Sequence, residues 1–250
     1  MTKLHVEQQG SGPKVVFVHG GEEAGGLTAF VSQTPLAQSF TLMLPDLPGH
    51  GQTPAEGPAS ADNDADLVAE ELLTERVHLG GHSYGGSVAL RAAVKRPEMV
   101  RSLTLVEPAA MDIAADDPEV LQMLMELVQA IQIPDLRERA IAFGAVLGIR
   151  KDWPNPLSEN YRLMSENLPN MLKPNPNSPL TRQLTEKIAA AGIPSLVISG
   201  GHRTAWEHIC DATAAALGGQ RAVVTGFAHA PQLNGAEFNR VLEGFWAGIA

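Results

Sequence analysis

The segment Val77–Ser87, which reads VHLGGHSYGGS, constrains the fold of this 250-residue chain more than any other. An apolar run leads into a tight turn around Ser83, and small apolar residues with helical spacing follow. A serine on a sharp strand-to-helix turn is held in strained backbone geometry, and Gly81 and Gly85 remove side chains that would crowd it. The helix N-terminus that follows favours negative charge near the hydroxyl. We therefore predict that Ser83 is a nucleophile, the alternative being a glycine-rich turn with an incidental serine.

Short apolar segments alternate with helical patterns along most of the chain. The run Val15–Val18 is continuously apolar, as expected of a strand buried on both faces of a parallel sheet. The alternation predicts an α/β fold with a doubly wound, mostly parallel sheet, whose ligands bind beyond the carboxyl ends of the strands. The predicted strands are Leu4–Gln8, Lys14–Val18, Phe40–Leu44, a run starting at Val77, Ser102–Val106, Leu196–Ser199 and Ala222–Thr225. The predicted helices of this part include Thr28–Ser39, Asp62–Leu73, Leu180–Ala191 and a closing helix with an apolar stripe from Phe238 to Trp246.

Residues 111–177 interrupt the alternation, because they contain no convincing strand. Apolar residues recur there with helical spacing in the segments Pro118–Ile131, Leu136–Leu147 and Leu157–Leu172. We predict a helical cap insert that forms a lid over the serine, set between two parts of the core at 1–110 and 178–250. Flexible thioethers suit an adaptable pocket wall, although ordinary packing is the favoured interpretation at helical spacing. The methionines in or beside the insert are Met111, Met123, Met125, Met164 and Met171.

The charge of the chain is strongly uneven. Of a net charge of −10, the whole excess lies between positions 15 and 75, where ten acidic residues occur without a Lys or Arg. Such a field argues against nucleic acid or an anionic membrane as a partner. No apolar run approaches the roughly 18 residues of a transmembrane helix, and the N-terminus has no apolar signal segment. The single cysteine, Cys210, rules out an intrachain disulfide and fits a reducing compartment, so we expect a cytoplasmic protein.

Four motifs outside the insert occur in a characteristic order. They read HGG at 19–21, DLPGHG at 46–51, GHSYG at 81–85 and GFAHAP at 226–231. In this order they resemble the α/β-hydrolase superfamily, and more narrowly its cap-bearing, esterase-like members. A serine hydroxyl needs a base within hydrogen-bond reach, itself oriented by a third group. The resemblance implies that His229, which lies between the last strand and the closing helix, is this base.

The same resemblance implies an oxyanion hole made by the backbone N–H groups of Gly21 and Tyr84. Glu22 and Glu23 follow directly, and a carboxylate aimed at an oxyanion would oppose it. We expect these two side chains to turn outward or to pair with a cation. Positions that are usually structural in the family are occupied by His19, His50 and His82.

The acidic residue that orients the histidine base is where the sequence departs from the usual pattern of the superfamily. In most members of the superfamily it follows the penultimate strand, but the corresponding loop contains no Asp or Glu. Glu107 instead ends the strand after the Ser83 turn, as in a minority of the superfamily, and the order nucleophile, acid, base agrees with the family. Pro108 predicts an extended backbone at Glu107, which would aim the carboxylate off the strand end. The alternatives in the next helical segment are Glu207 and Asp211.

These expectations together predict a serine hydrolase, without cofactor or metal, that cleaves a small or medium, largely apolar carboxylic ester through an acyl-enzyme. A lactonase, a thioesterase or a carbon–carbon bond hydrolase would use the same residues. Dehalogenases and epoxide hydrolases are disfavoured, since those relatives carry an aspartate in the position of Ser83. A non-catalytic ligand receptor on a hydrolase scaffold is the alternative from another class. The identity of the small-molecule substrate and the oligomeric state stay open.

Overall fold

One mostly parallel sheet positions the rest of the molecule. The structure, a computed structural model, describes residues 3–55, 57–149, 152–173 and 175–249, so the predicted outer limits of the core, 1 and 250, lie outside it. Its strands are β1 (His5–Gly10), β2 (Lys14–Val18), β3 (Thr41–Asp46), β4 (Val77–His82), β5 (Val100–Val106), β6 (Ser195–Ser199) and β7 (Gln220–Val223). Within the described residues they form one seven-stranded sheet in the order β1-β3-β2-β4-β5-β6-β7. Only β1 runs antiparallel to its neighbour, which confirms the predicted α/β class.

Helices cover both faces of this sheet. They are α1 (Gly26–Ala29), α2 (Ala61–Glu71), α3 (Tyr84–Lys95), α4 (Pro118–Ile131), α5 (Leu136–Val146), α6 (Glu159–Met171), α7 (Thr181–Ala190), α8 (Thr204–Leu217) and α9 (Gly235–Trp246). One face packs against α2, α3, α7 and α8, and the other against α1, α9 and a 3₁₀ segment. Val16 and Val18 of β2 belong to the first layer and Val15 and Phe17 to the second, because successive side chains of a strand point to opposite faces. Two-sided burial thus explains the continuously apolar run.

Helices α4, α5 and α6 follow one another between β5 and α7. The apolar side of α4 packs on the start of α8, where Met123 and Leu127 lie in one cluster with Trp206. Asp117 and Asp135 cap α4 and α5 by accepting hydrogen bonds from backbone N–H groups of the first turn. The described residues between 111 and 173 contain helices but no strand, as the spacing predicted. The limits of a cap insert at 111 and 177 stay a prediction.

One local feature differs from the sequence expectation. Thr28–Ser39 is not one helix: α1 ends at Ala29, and a 3₁₀ segment, Val31–Gln38, contains Pro35, which lacks the N–H that an α-helix needs. The turn after Gly10 joins β1 and β2, but these strands do not pair with each other, since β1 pairs with β3. The half-buried pattern of β1 suits an edge strand and the fully buried β2 a central one. No helix among the described residues has the length and apolar character to cross a membrane.

Candidate active site

Ser83 lies at the turn between β4 and α3 with a backbone φ of 51°. A positive φ is uncommon for a residue with a side chain and marks strain. A Cβ added to Gly81 would collide with the carbonyl group of Gly85, and one added to Gly85 would collide with the carbonyl oxygen of His19. The glycines are therefore required by the close approach of three backbone segments. The strained strand-to-helix turn that the sequence predicted is present.

Three predicted residues form a continuous hydrogen-bonded row. His229 Nε2 lies 2.9 Å from Ser83 Oγ, and His229 Nδ1 lies 2.6 Å from Glu107 Oε2. All three residues are buried. With Nδ1–H donating to the carboxylate, Nε2 is free to accept the serine proton, which is the tautomer that a general base requires. The structure thus brings Ser83, His229 and Glu107 together in the arrangement that nucleophilic catalysis needs.

Glu107 is held in its ionised form. Burial opposes the charge, but the adjacent imidazoles of His202 and His229 lower the pKa of Glu107 to about 2. The second carboxylate oxygen, Oε1, accepts the N–H of Gly200 at 2.6 Å and lies 3.4 Å from His202 Nδ1. A buried carboxylate surrounded by donors keeps its charge over the whole neutral range.

The backbone of Glu107 corrects one expectation. Pro108 predicted an extended conformation, whereas Glu107 has a φ of 38°. Its N–H donates to Ile198 O of β6 at 2.9 Å, while its carboxylate turns to Gly200 N–H. These contacts with the neighbouring strand override the local preference that a following proline imposes. The prediction of an extended Glu107 is therefore wrong.

The two alternative acids take part in another network. Glu207 accepts from Ser199 Oγ at 2.8 Å and from Arg221 Nη2 at 2.6 Å. Asp211 accepts from Arg221 Nε at 2.8 Å. Both carboxylates thus bind one arginine that joins α8 to β7. Among the described residues, Glu107 is the carboxylate hydrogen-bonded to His229.

Gly21 and Tyr84 lie together beside Ser83. Tyr84 is the first residue of α3, so its backbone N–H has no acceptor within the helix. A Cβ built on Gly21 would lie 3.7 Å from Tyr84 Cβ and 2.6 Å from Met171 Sδ. Both residues line the cavity in front of the serine. The predicted pair of backbone donors is therefore at the site, and their role as an oxyanion hole remains a proposal.

Glu22 and Glu23 turn into the protein and face His82. Glu23 Oε1 and Glu22 Oε1 lie 3.3 Å and 3.6 Å from His82 Nδ1. Burial opposes a charge on His82, but the two carboxylates raise its pKa to about 9. Burial also opposes ionisation of Glu23, yet the charge of His82 lowers the pKa of Glu23. The expected outward orientation is therefore wrong. The alternative expectation, pairing with a cation, agrees with the position of both carboxylates beside His82 and with the raised pKa of that ring.

His19 and His50 stabilise the loops around the site. His19 Nε2 accepts the N–H of Leu47 at 2.9 Å, and its Nδ1 donates to Gly20 O at 2.7 Å. Burial, followed by the nearby His50, lowers the pKa of His19 to about 3, so the ring is neutral. His50 Nε2 lies 3.4 Å from Gly21 O. These contacts fit the structural roles that the resemblance implied.

Three side chains present atoms close enough to share a metal ion. Glu22, His82 and His229 each offer one ligand atom, and these atoms lie within 4.8 Å of one another. His229 Nε2 is already bonded to Ser83, and His82 Nδ1 faces the Glu23 carboxylate. A metal at this position would break the contact between His229 and the serine. We therefore assign His229 Nε2 to the contact with Ser83 rather than to metal binding.

A cavity of about 310 Å³ opens in front of Ser83. Its wall is largely apolar and comes from α4, α5 and α6, through Leu124, Leu127, Phe143, Leu168 and Met171. Trp206 of α8 also lines it and packs against the His229 ring, with ring centroids 4.4 Å apart and ring planes tilted by 31°. Sequence reasoning missed Trp206, because its apolar position in α8 is that of any core residue.

The methionines divide between packing and the cavity. Met111 and Met171 line the cavity. Met123 and Met164 are fully buried in clusters between helices, and Met125 is 53% exposed on the outer side of α4. Both interpretations are therefore correct for part of the group: Met123 and Met164 pack between helices, and Met111 and Met171 form part of the cavity wall.

Comparison with known proteins places this geometry in context. Residues 15–241 match the alpha/beta hydrolase family. A pimeloyl-[acyl-carrier protein] methyl ester esterase of Chromobacterium violaceum is 43% identical over 103 residues, which cover 41% of this chain and 40% of that protein. The chain thus matches about two fifths of the length of this relative. The protein of the same name from Stenotrophomonas maltophilia is 30% identical over 99% of this chain and 98% of its own length.

The fold is also similar to solved structures. One, described as Est816, an N-acyl homoserine lactone degrading enzyme, superposes with a TM-score of 0.75 at 22% identity. The superposition covers 98% of this chain and 97% of the other. At this level of identity the likeness concerns the fold.

Proposed function

Because the chain belongs to the alpha/beta hydrolase family, we propose that it is a carboxylic ester hydrolase that acts through an acyl-enzyme on Ser83. The observation that carries the proposal is the hydrogen-bonded row from Ser83 through His229 to Glu107. A serine hydroxyl is a weak nucleophile until a base within hydrogen-bond reach removes its proton. This row supplies the base and the group that orients it.

Each residue of the row has one chemical task. Ser83 Oγ attacks the ester carbonyl while His229 Nε2 takes its proton, and Glu107 stabilises the imidazolium that forms. The backbone N–H groups of Gly21 and Tyr84 hold the oxyanion of the tetrahedral intermediate. His229 returns the proton to the leaving alcohol, and a water molecule, activated by the same histidine, then releases the acid.

The cavity supports a small or medium, largely apolar ester as substrate. Its volume of about 310 Å³ and its wall of leucine, methionine and phenylalanine suit an acyl or alcohol group of a few carbon atoms. The wall comes from helices of residues 111–177, which we propose act as a cap over Ser83. The names of the relatives, methyl ester esterases, support ester hydrolysis. Lactones, thioesters and activated carbon–carbon bonds present a similar carbonyl and remain alternatives.

A serine-directed fluorophosphonate probe tests the proposal. We expect the probe to label Ser83 in the wild-type protein, and Ser83→Ala to lose both labelling and p-nitrophenyl acetate hydrolysis while keeping the thermal unfolding curve. Ser39→Ala, at an exposed position outside the cavity, is the matched control and should retain both. Absence of labelling in the wild-type protein would favour a non-catalytic receptor. A panel of esters, thioesters and lactones then ranks the substrate classes.

A further inference from the structure

A second buried polar network lies beneath the proposed triad and is not part of it. Its centre is His82, whose ring is fully buried next to Ser83 in the chain. His82 Nε2–H donates to the backbone carbonyl of His229 at 2.6 Å, and the two rings lie 4.9 Å apart. On its other side, His82 Nδ1 faces Glu23 at 3.3 Å. One imidazole ring therefore lies between a buried carboxylate and the main chain of the proposed base.

Glu23 extends the network to two further loops. Its Oε2 accepts the N–H of Gly20 at 2.6 Å, in the loop that carries Gly21. Its Oε1 accepts Gln232 Nε2 at 3.1 Å, in the 3₁₀ turn that follows His229. The Glu23 carboxylate thus contacts three segments: the loop of Gly20 and Gly21, His82 next to the Ser83 turn, and the turn that follows His229. These three segments have to be in register for the proposed chemistry.

We propose that Glu23 and protonated His82 are positioning residues, an ion pair that fixes the main chain of His229 so that its ring is aimed at Ser83. The proposal rests on the proposed function, because it concerns the placement of the base. The segment that needs support is strained, since Ala228, directly before His229, has a φ of 49°. A side chain on a loop strained in this way keeps its orientation only when surrounding contacts over-determine it.

The energetics favour a positioning role over a purely stabilising one. A buried ion pair contributes little net stability compared with apolar packing, but the loss of one partner leaves an uncompensated charge in the interior. A displacement of about 1 Å of a catalytic group can lower a rate by about 100-fold. The groups that face the His82 ring are the carboxylates of Glu22 and Glu23 and the carbonyl and ring of His229. Loss of the proton from His82 would remove the cation that these two carboxylates surround.

Three substitutions separate the effect of the hydrogen-bond donor from the effect of the charge. Glu23→Gln keeps the shape of the side chain but removes the anion that holds His82 protonated. His82→Gln places an amide N–H near the position of Nε2, so it keeps a donor to His229 O but cannot carry a charge, whereas His82→Ala removes both. The matched control is His78→Gln on the same strand, because His78 is a buried histidine bonded to Ser102 Oγ on the side of the sheet that faces Trp246.

The measurements are kcat, KM and the fluorophosphonate labelling rate as functions of pH, with thermal unfolding to identify folded variants. We expect Glu23→Gln and His82→Ala to lower kcat and labelling by about 10- to 100-fold, with KM within about threefold. His82→Gln should recover part of the loss. The wild-type rate should fall above about pH 9, where His82 loses its proton, and this fall should move to lower pH in Glu23→Gln.

Each outcome bears on one proposal. Suppose that the wild-type protein is labelled and that Glu23→Gln and His82→Ala fold and keep the wild-type kcat and pH profile. This result would overturn the positioning role and leave the proposed function standing. No wild-type labelling would overturn the proposed function itself. If the variants at 23 and 82 do not fold, the wild-type profile decides, since constant activity up to pH 10 would contradict a role for protonated His82.

Discussion

Glu107 and His229 are 122 positions apart in the chain, yet the carboxylate Oε2 of one accepts a hydrogen bond from Nδ1 of the other at 2.6 Å. Glu107 directly follows β5, and His229 lies in the loop after β7, two strands further across the sheet. Gly200, after the intervening β6, donates to the other carboxylate oxygen at 2.6 Å. The loop that usually carries the acid in this superfamily therefore supplies a backbone donor to a glutamate from the neighbouring strand.

Glu107→Gln should strongly reduce turnover, because an amide neither stabilises the imidazolium nor selects the required tautomer of His229. We expect kcat to fall by about 10²- to 10⁴-fold, measured on p-nitrophenyl acetate at pH 7.5. Glu207→Gln is the matched control, since Glu207 bonds Arg221 and Ser199 instead. It should affect the thermal unfolding midpoint more than kcat. A larger rate loss in Glu207→Gln would reassign the acid.

Asp64→Asn should stabilise the protein in a pH-dependent way. Asp64 is buried, its Oδ2 accepts the Tyr84 hydroxyl at 2.7 Å, and burial raises its pKa to about 6 in spite of this bond. Since the folded pKa lies above the unfolded value, the ionised carboxylate destabilises the folded state above pH 6, and this penalty vanishes below about pH 4. Asn removes the charge and keeps an acceptor. Urea unfolding should show a gain of up to about 3 kcal/mol at pH 8 and little gain at pH 4.

The control for this prediction is Asp66→Asn on the same helix. Asp66 forms an exposed pair with Lys95, so its replacement should change the free energy of unfolding by less than about 1 kcal/mol at either pH. An equal gain from Asp64→Asn at pH 4 and pH 8 would show that the buried charge is not its cause.

Two glycine substitutions should have opposite effects on stability. Gly85→Ala places a Cβ against the backbone carbonyl oxygens of His19 and Val18, which cannot move without displacing β2. We expect a loss of more than about 2 kcal/mol, as for other overpacked core sites. Gly244→Ala, in α9 with open space around the added carbon, should gain about 0.5–1 kcal/mol from helix propensity. Denaturant midpoints measure both, and a stable Gly85→Ala would refute the crowding at the serine turn.

Met171→Ala should change substrate preference rather than the chemistry. The Met171 thioether lies against Gly21 and forms part of the cavity wall. Removing it lengthens the cavity, so the ratio of kcat/KM for hexanoate to acetate p-nitrophenyl esters should rise by about tenfold, the effect of roughly 1.4 kcal/mol of added apolar contact. Met125→Ala, on the exposed side of α4, should leave the ratio unchanged. An unchanged ratio in Met171→Ala would mean that the acyl chain binds elsewhere.

Features that depend on neighbours in the chain follow from the sequence alone. The spacing of apolar residues predicted α4 at Pro118–Ile131, which are its limits in the structure, and the continuous apolar run predicted the buried β2. The pattern G-x-S-x-G between strand and helix predicted the strained turn at Ser83. These features are encoded locally, because periodicity, backbone sterics and the absence of a Cβ act over a few residues.

Contacts between distant segments were decided only by the tertiary structure. Whether Glu107 or Glu207 reaches His229, and whether Glu23 faces solvent or His82, depends on how strands and loops more than 50 residues apart are arranged around the sheet. The positive φ of Glu107 is set by the same long-range contacts, against the preference that Pro108 imposes. The sequence by itself determined most of the helices and strands, the turn at Ser83 and the candidate residues. The folded sheet determined which carboxylate meets which imidazole, because electrostatic pairing depends on distances in space that no local pattern contains.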